Sequence, residues 1–251
     1  ALAEYFGAIE GASLEANKGA YSYAWMIIFA VIAAIMVLIG LYHIRMLPSN
    51  QIPSTTKKTT SEVGRELVAV IANFFTKKHI FYYICFIILY RLAEGFIMKI
   101  APLFLRASRE VGGLGLSLKE IGTLNGVFGS AAFVLGSLLA GIYVSKFGLK
   151  RTLFTLCCIF NLPFVAYTFL AVTQPTNVYL IGTCITMEYF GYGFGFVGLT
   201  LFMMQQIAPG KHQMSHYAFA SGIMNLGVML PGMVSGYFSD LLGYRNFFIY
   251  V

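Results

Sequence analysis

Residues Tyr21–Tyr42 read YSYAWMIIFAVIAAIMVLIGLY, with no Asp, Glu, Lys or Arg. A helix that crosses the hydrocarbon core of a bilayer needs about 20 consecutive apolar residues, so this stretch is long enough to span. It is apolar all round, with no polar face to offer water, as a helix in lipid requires. Outward from it, the same pattern recurs. Further spans are predicted at about Phe81–Leu105, Ile121–Val144, Leu153–Val172, Val178–Ile207 and Ser215–Phe238, and a seventh begins at Phe247. Composition agrees. The 251 residues are 58% hydrophobic and 11% charged, with mean hydropathy +0.75, whereas an average soluble domain carries roughly 25% charge. The predicted fold class is all-α, a polytopic transmembrane helix bundle, and the composition argues against a soluble enzyme.

The formal net charge of +7 does not point to nucleic acid. The basic residues collect in a linker and a few short loops, as the cytoplasmic side of a membrane protein requires. Arg45, Lys57, Lys58, Arg65, Lys77 and Lys78 place the first linker inside. Alternation then puts Lys146, Lys150, Arg151 and Lys211 inside too. The Lys- and Arg-free stretch Thr173–Asn177 falls outside; Arg106 and Arg109, also outside, are the exception. Within the linker, Pro48–Thr60 is polar. Ser61–Lys78 reads as an amphipathic helix with Val63, Leu67, Val70, Ile71 and Phe74 at helical spacing and Ser61 as its cap. This divides the chain at 1–47 (outer loop and last helix of a first half), 48–79 (cytoplasmic linker) and 80–251 (a second half). The chain starts at Ala1 and stops inside an apolar run, so a fragment of a longer protein is expected.

Charges inside spans are costly and point to function or to internal pairing. Glu188 lies ten residues beyond Val178, roughly 15 Å into its helix, with no basic residue in the same span. It must be protonated, paired across helices or open to a watery cavity; a neutral acid bridging helices is the plainer alternative. Arg91 and Glu94 are three apart on one helix face, with Tyr90 beside them and Lys99 about 12 Å further on. That strip can handle a solute or a proton, or simply hold the bundle together, and Lys99 can snorkel to the surface.

Other patterns are structural. Gly122/Gly126, Gly191/Gly195 and Gly232/Gly236 are small-xxx-small pairs for close helix packing, and Pro231 should bend the sixth span. Gly193-x-Gly195-x-x-Gly198 spells a dinucleotide fingerprint but follows no strand. Cys85, Cys157, Cys158 and Cys184 lack metal-ligand spacing, and His212 with His216 has no third ligand in view. No cofactor or metal is implied.

The third–fourth loop, Gly141-Ile-Tyr-Val-Ser145-Lys146-Phe-Gly148-Leu-Lys150-Arg151, resembles the loop signature of the major facilitator superfamily, G-x-x-x-D-R/K-x-G-x-R/K-R/K. Five of six specified positions match; Ser145 replaces the Asp that contributes to an inner-gate charge relay in the family. Gly236–Phe248 also looks like a junction common there. Within the superfamily the chain looks most like the AmpG-type muropeptide permeases and the related acetyl-CoA transporters. Tyr90-Arg-Leu-Ala-Glu94 resembles their "YKLGDAF". Gly115–Gly122 resembles the approach to their eighth helix. Met187-Glu188-Tyr-Phe-Gly-Tyr-Gly193-Phe-Gly195 resembles their "FFENLCGGMG", and His216-Tyr217-Ala-Phe resembles their "TQFAL".

The resemblance implies that the six spans are the sixth to eleventh helices of twelve, the missing half preceding them. It implies a secondary transporter, bacterial and in the inner membrane, whose halves rock about a site at mid-membrane. Glu94 and Glu188 are then expected to line that site and couple a proton. Arg91 and Lys99 would hold an anionic group, and Tyr90, Tyr189, Tyr192 and Tyr217 would stack on sugar rings. The expected solute is a muropeptide, amino-sugar or oligosaccharide moving inward. A uniporter or exporter, an acyl-CoA-type transporter or a non-transporting membrane subunit are the alternatives.

Overall fold

A computed structural model describes residues 2–7, 9, 15–47 and 59–251. The described residues form helices and no strand. They fall into two units, divided between Lys58 and Thr59. The linker stretch 48–58, with Lys57 and Lys58, lies outside the described residues.

The first unit holds a short helix α1 (Leu2–Tyr5) and the long helix α2 (Lys18–Met46). Asn17, ahead of α2, exchanges two hydrogen bonds with the backbone of Ile9, at 2.9 and 2.8 Å. That reciprocal pairing satisfies a side chain otherwise buried without water. The predicted first span is therefore present, and longer at both ends than its uncharged core.

The second unit opens on the linker helix α3 (Thr60–Phe75). Its cap is Thr59, not Ser61. Glu62 reaches back to the Thr59 N–H at 2.8 Å in a capping box, satisfying donors that helix geometry leaves free. Of the expected apolar stripe, Val70 and Phe74 are buried, whereas Val63 and Leu67 are exposed. Phe74 meets the rings of His216 and Phe219 edge-on.

Each later span is helical but broken by a local irregularity. The second is α4 (Ile80–Tyr90) and α5 (Leu92–Arg106), separated at Arg91, where φ −108° and ψ 6° leave the helix. The third is α6 (Leu118–Thr123), a π-helical turn Leu124–Gly129, and α7 (Ser130–Phe147). The fourth is α8 (Leu149–Asn161), a 3-10 turn Leu162–Phe164 at Pro163, and α9 (Val165–Thr173). The fifth is α10 (Val178–Phe202), ending in a π turn at Met203–Ile207. The sixth, α11 (Gln213–Tyr250), continues through Pro231 and kinks at Gly243, where φ is 71°. The expected seventh segment thus starts at Tyr244, a turn earlier than its apolar run suggests.

Five of these spans are long and apolar enough to cross a bilayer by length and composition. The exception is α10, whose glycines, tyrosines and Glu188 dilute its apolar character. It is also the most enclosed, packed along α7 and α8. A helix hidden by neighbours needs less lipid-compatible surface. Glycine makes that packing possible. A Cβ on Gly193 would lie 2.1 Å from the Phe133 carbonyl oxygen, and one on Gly191 2.5 Å from that of Ile159. Of the three predicted glycine pairs, Gly191/Gly195 packs at both positions. Gly232 packs on Gly95 and Lys99 but Gly236 does not. Gly122 and Gly126 meet no neighbour among the described residues.

Candidate functional site

The irregularities converge. Glu94 one turn beyond the Arg91 break, Asn125 in the π turn and Phe164 in the 3-10 turn line one cavity of about 80 Å³. Tyr167 of α9 and Glu188, Tyr189 and Tyr192 of α10 complete its polar side, and Ile97, Met98 and Leu105 its apolar side. Regular helices present only side chains to a neighbour; a break or a wide turn shifts which residues face inward, and such turns gather at functional sites. At about 30 Å³ per water, the space admits roughly two or three.

Glu94, on the cavity wall, forms a bidentate ion pair with Arg91. The Arg91 Nε donates to Glu94 Oε2 at 2.6 Å, and a terminal nitrogen donates to Oε1. Both are buried, at 5% and 3% exposure. The Arg91 guanidinium also approaches the Tyr192 hydroxyl at 3.4 Å and lies over the Phe196 ring at 5.5 Å. The break falls at Arg91 itself, one turn before its partner Glu94.

Glu188 is held differently. It has no ion pair among the described residues; its neighbours are the Tyr167 hydroxyl, within interaction range, and the charge of Glu94 across the cavity. Tyr167 is positioned by stacking on Phe248, 5.6 Å between centroids at 17°. The two carboxylates thus share a cavity from opposite helices, one neutralised and one not.

Of the other residues singled out in the sequence, Tyr189 and Tyr192 line the cavity. Tyr90 does not; its hydroxyl donates to the Gly195 carbonyl at 2.8 Å, tying α4 to α10. Lys99 is exposed, its stem lying along Gly232 of α11. Tyr217 sits in the first turns of α11, about 21 Å along the axis from Pro231, the residue that packs beside Gly95 next to Glu94. Sequence reasoning missed Asn125 and Tyr167. Each is one of several polar residues in its span, and spacing alone does not single it out.

At the linker side, α7 passes into α8 through Gly148 alone, at φ 78° and ψ 146°, a conformation that suits glycine. The Gly148 N–H donates to Val144 at 2.8 Å, and Thr152 donates back to Gly148 at 3.0 Å. Ser145 donates to Ile142 of its own helix at 2.8 Å. Lys146, Lys150 and Arg151 are exposed, and Gly141 faces open space. Nearby, the Lys77 ammonium donates to the carbonyls of Ile207 and of Pro209, the latter at 2.8 Å, supplying donors that the end of a helix lacks. Burial there pulls the Lys77 ammonium below the usual lysine range. His216, fully buried, contacts the Val70 carbonyl at 3.3 Å. On the far side Arg109 donates to the carbonyls of Gln174 and Pro175, at 2.9 and 2.8 Å. That contact accounts for a basic residue in the loop where charge counting does not want one.

A second, larger groove of about 1030 Å³ runs beside Leu124, Phe128, Leu162, Met187 and Phe190. It is open and its surface is almost wholly apolar, although Lys119, Glu120 and three threonines also line it. Both glutamates line the smaller cavity.

Comparison with known proteins follows the same lines. The family model of the Major Facilitator Superfamily matches residues 2–208. The chain is 23% identical to the anhydromuropeptide permease of Escherichia coli K12 over 198 residues, 79% of this chain and 39% of that protein. It is 24% identical to a protein named as transporter AmpG 1 of Rickettsia bellii over 227 residues, 89% of this chain and 53% of that protein. The chain spans about half, or less, of the length of these relatives. Apolar spanning helices, a glycine junction inside the matching loop and a family match over most of the chain lead to one statement: the chain belongs to the Major Facilitator Superfamily, a family of membrane transporters.

Proposed function

We propose that this chain is the second half, with the preceding helix, of a proton-coupled secondary transporter that imports a sugar-containing solute. The observation that carries this reading is the pair of carboxylates in one cavity, near the middle of their spans, only one of them neutralised by an arginine. A carboxylic acid without a fixed counter-ion can gain and lose a proton as the cavity opens to either side, which is what coupling needs. Glu188 is that group. Arg91 and Glu94 hold the site's shape and charge. Tyr189 and Tyr192 offer flat rings and hydroxyls to sugar rings. Similarity to an anhydromuropeptide permease supports a muropeptide or amino-sugar as the solute, and a bacterial inner membrane as the location. The linker is cytoplasmic in this reading, since basic residues collect in its sequence and again at the Gly148 junction, in Lys146, Lys150 and Arg151.

The test is transport by the protein as its cell makes it, in proteoliposomes. Counter-flow against muropeptides, amino-sugars and acyl-CoA identifies the solute class. Glu188→Gln keeps the shape and most hydrogen bonds but cannot titrate. Accumulation driven by a proton gradient should vanish while solute exchange persists. Full accumulation by a stably folded Gln variant removes Glu188 from coupling and leaves Glu94 as the acidic candidate in this half.

A further inference from the structure

The larger groove carries its charges at one end. Its floor is α10, and its walls are Leu124 and Phe128 of the third span and Leu162 and Pro163 of the fourth. Phe128, Leu162 and Met187 stand exposed along it. The hydroxyls of Thr183 and Thr186 are engaged inside α10, donating to the carbonyls of Tyr179 at 2.9 Å and Gly182 at 2.7 Å, so neither needs a partner in the groove. The charged residues, Lys119 and Glu120, lie in the first turn of α6. A Cβ on Gly182 would lie 2.7 Å from the Leu124 side chain. That contact sets Lys119 and Glu120 level with Val178 and Tyr179, the first turn of α10.

From Val178 to Gly191 the groove follows α10 for roughly 20 Å, at about 1.5 Å per residue. One leaflet's hydrocarbon is about 15 Å deep, half of a core of about 30 Å. The groove thus has the length of one leaflet with its headgroup level, charge at the rim and apolar walls below, which is the polarity of a lipid. It is separate from the glutamate cavity, since Glu188 and Phe190 point about 200° apart around α10. The segment after Gly243 turns elsewhere: Tyr244 and Phe248 pack on Phe104 of α5, at 5.6 and 4.9 Å between ring centroids.

The rim selects the headgroup. Glu120 Oε2 accepts from the Ser117 N–H and from its hydroxyl, both at 2.8 Å, in a capping box that fixes the carboxylate. Its Oε1 accepts nothing among the described residues. Lys119 is exposed, with no hydrogen bond or ion pair among them. A fixed acceptor beside a free cation complements a headgroup that carries both an ammonium and a phosphate. We propose that the groove binds one phospholipid with a primary-amine headgroup, of the phosphatidylethanolamine type, with its phosphate at Lys119, its ammonium at Glu120 Oε1 and an acyl chain along Phe128 and Met187. A choline headgroup has no N–H to donate to Glu120, and a glycerol headgroup has no cation to set beside it. The lipid belongs to the leaflet at the Lys119 end of the spans, away from the Gly148 junction.

The test is lipid retention, which no transport step enters. The protein as its cell makes it is placed in nanodiscs of equal parts phosphatidylethanolamine, phosphatidylglycerol and phosphatidylcholine with the same acyl chains. It is then released, and the lipids that stay bound are identified by native mass spectrometry. Wild type should keep one ethanolamine lipid at roughly fivefold over either of the others, the range of a partly exposed charge pair. Glu120→Gln keeps the capping box, which glutamine also forms, and should bring the ethanolamine and choline lipids within about twofold. Thr183→Phe fills the groove and leaves the rim intact, and it should remove the ethanolamine preference as well. Equal retention of the three lipids by wild type overturns the site, and so does a preference that survives either variant. If Thr183→Phe loses the preference only by unfolding, seen as a lowered melting temperature in lipid-free detergent, Glu120→Gln still decides: an unchanged ratio overturns the site and a lost one supports it.

Discussion

Two carboxylates face the same cavity, and their surroundings are opposites. Glu94 is gripped by a guanidinium three residues away on its own span, through two hydrogen bonds, with an aromatic ring behind the arginine. Glu188 has a tyrosine hydroxyl from a different span and a like charge across the gap. The first arrangement is local: both partners arrive together once the helix breaks at Arg91, and neither can change charge without stranding the other. The second is assembled from separate spans and sets no counter-charge beside the acid among the described residues. What separates the two acids in this structure is whether a counter-charge is fixed beside them.

The largest expected effect comes from cutting the local pair. Arg91→Met leaves a buried, uncompensated carboxylate and should destabilise the protein by about 3–5 kcal/mol, seen as loss of monodisperse protein and a lowered melting temperature. Arg91→Met with Glu94→Leu should regain most of that stability, since an apolar replacement of a buried pair is close to neutral. If the double variant is as unstable as the single one, the pair is not a self-contained unit and the contrast with Glu188 fails. Glu188→Gln should leave the melting temperature nearly unchanged while abolishing proton-driven accumulation. Tyr167→Phe keeps the ring stacked on Phe248 and removes only the hydroxyl beside Glu188, so a loss of about 1 kcal/mol is expected in thermal unfolding. Lys99→Gln should be the mildest. Lys99 is exposed beside Gly232, and uptake kinetics indistinguishable from wild type would separate it from the polar strip that sequence spacing drew.

The sequence reveals the spans well because hydropathy over some 20 residues is a coarse, additive property that neighbours barely alter. Tyr21–Tyr42 is the clearest case, lying wholly within α2. The site is legible only in part. Helical spacing puts Arg91 and Glu94 together because three residues apart is a local matter. It places Lys99 and Tyr90 in the same strip, since a strip drawn on an ideal helix ignores the break at Arg91 and the direction of each side chain. Asn125 and Tyr167 were hidden for a different reason: which face of a span turns inward depends on the π and 3-10 turns, and these arise from packing between spans. Ser61 looks like a cap by composition, yet Thr59 takes the position because Glu62 stands three residues after it.

The junction at Gly148 has a kinematic consequence. Two spans joined through a single residue, whose N–H is bonded into one helix and whose carbonyl into the other, share a joint with almost no slack. Neither can slide along the other; any displacement of one at this end is passed directly to the next. In the proposed transport cycle, length changes would then be absorbed partway along the rods, at the breaks at Arg91, Leu124–Gly129 and Leu162–Phe164. The third and fourth spans behave as a stiff V whose arms flex at their middles, beside the cavity.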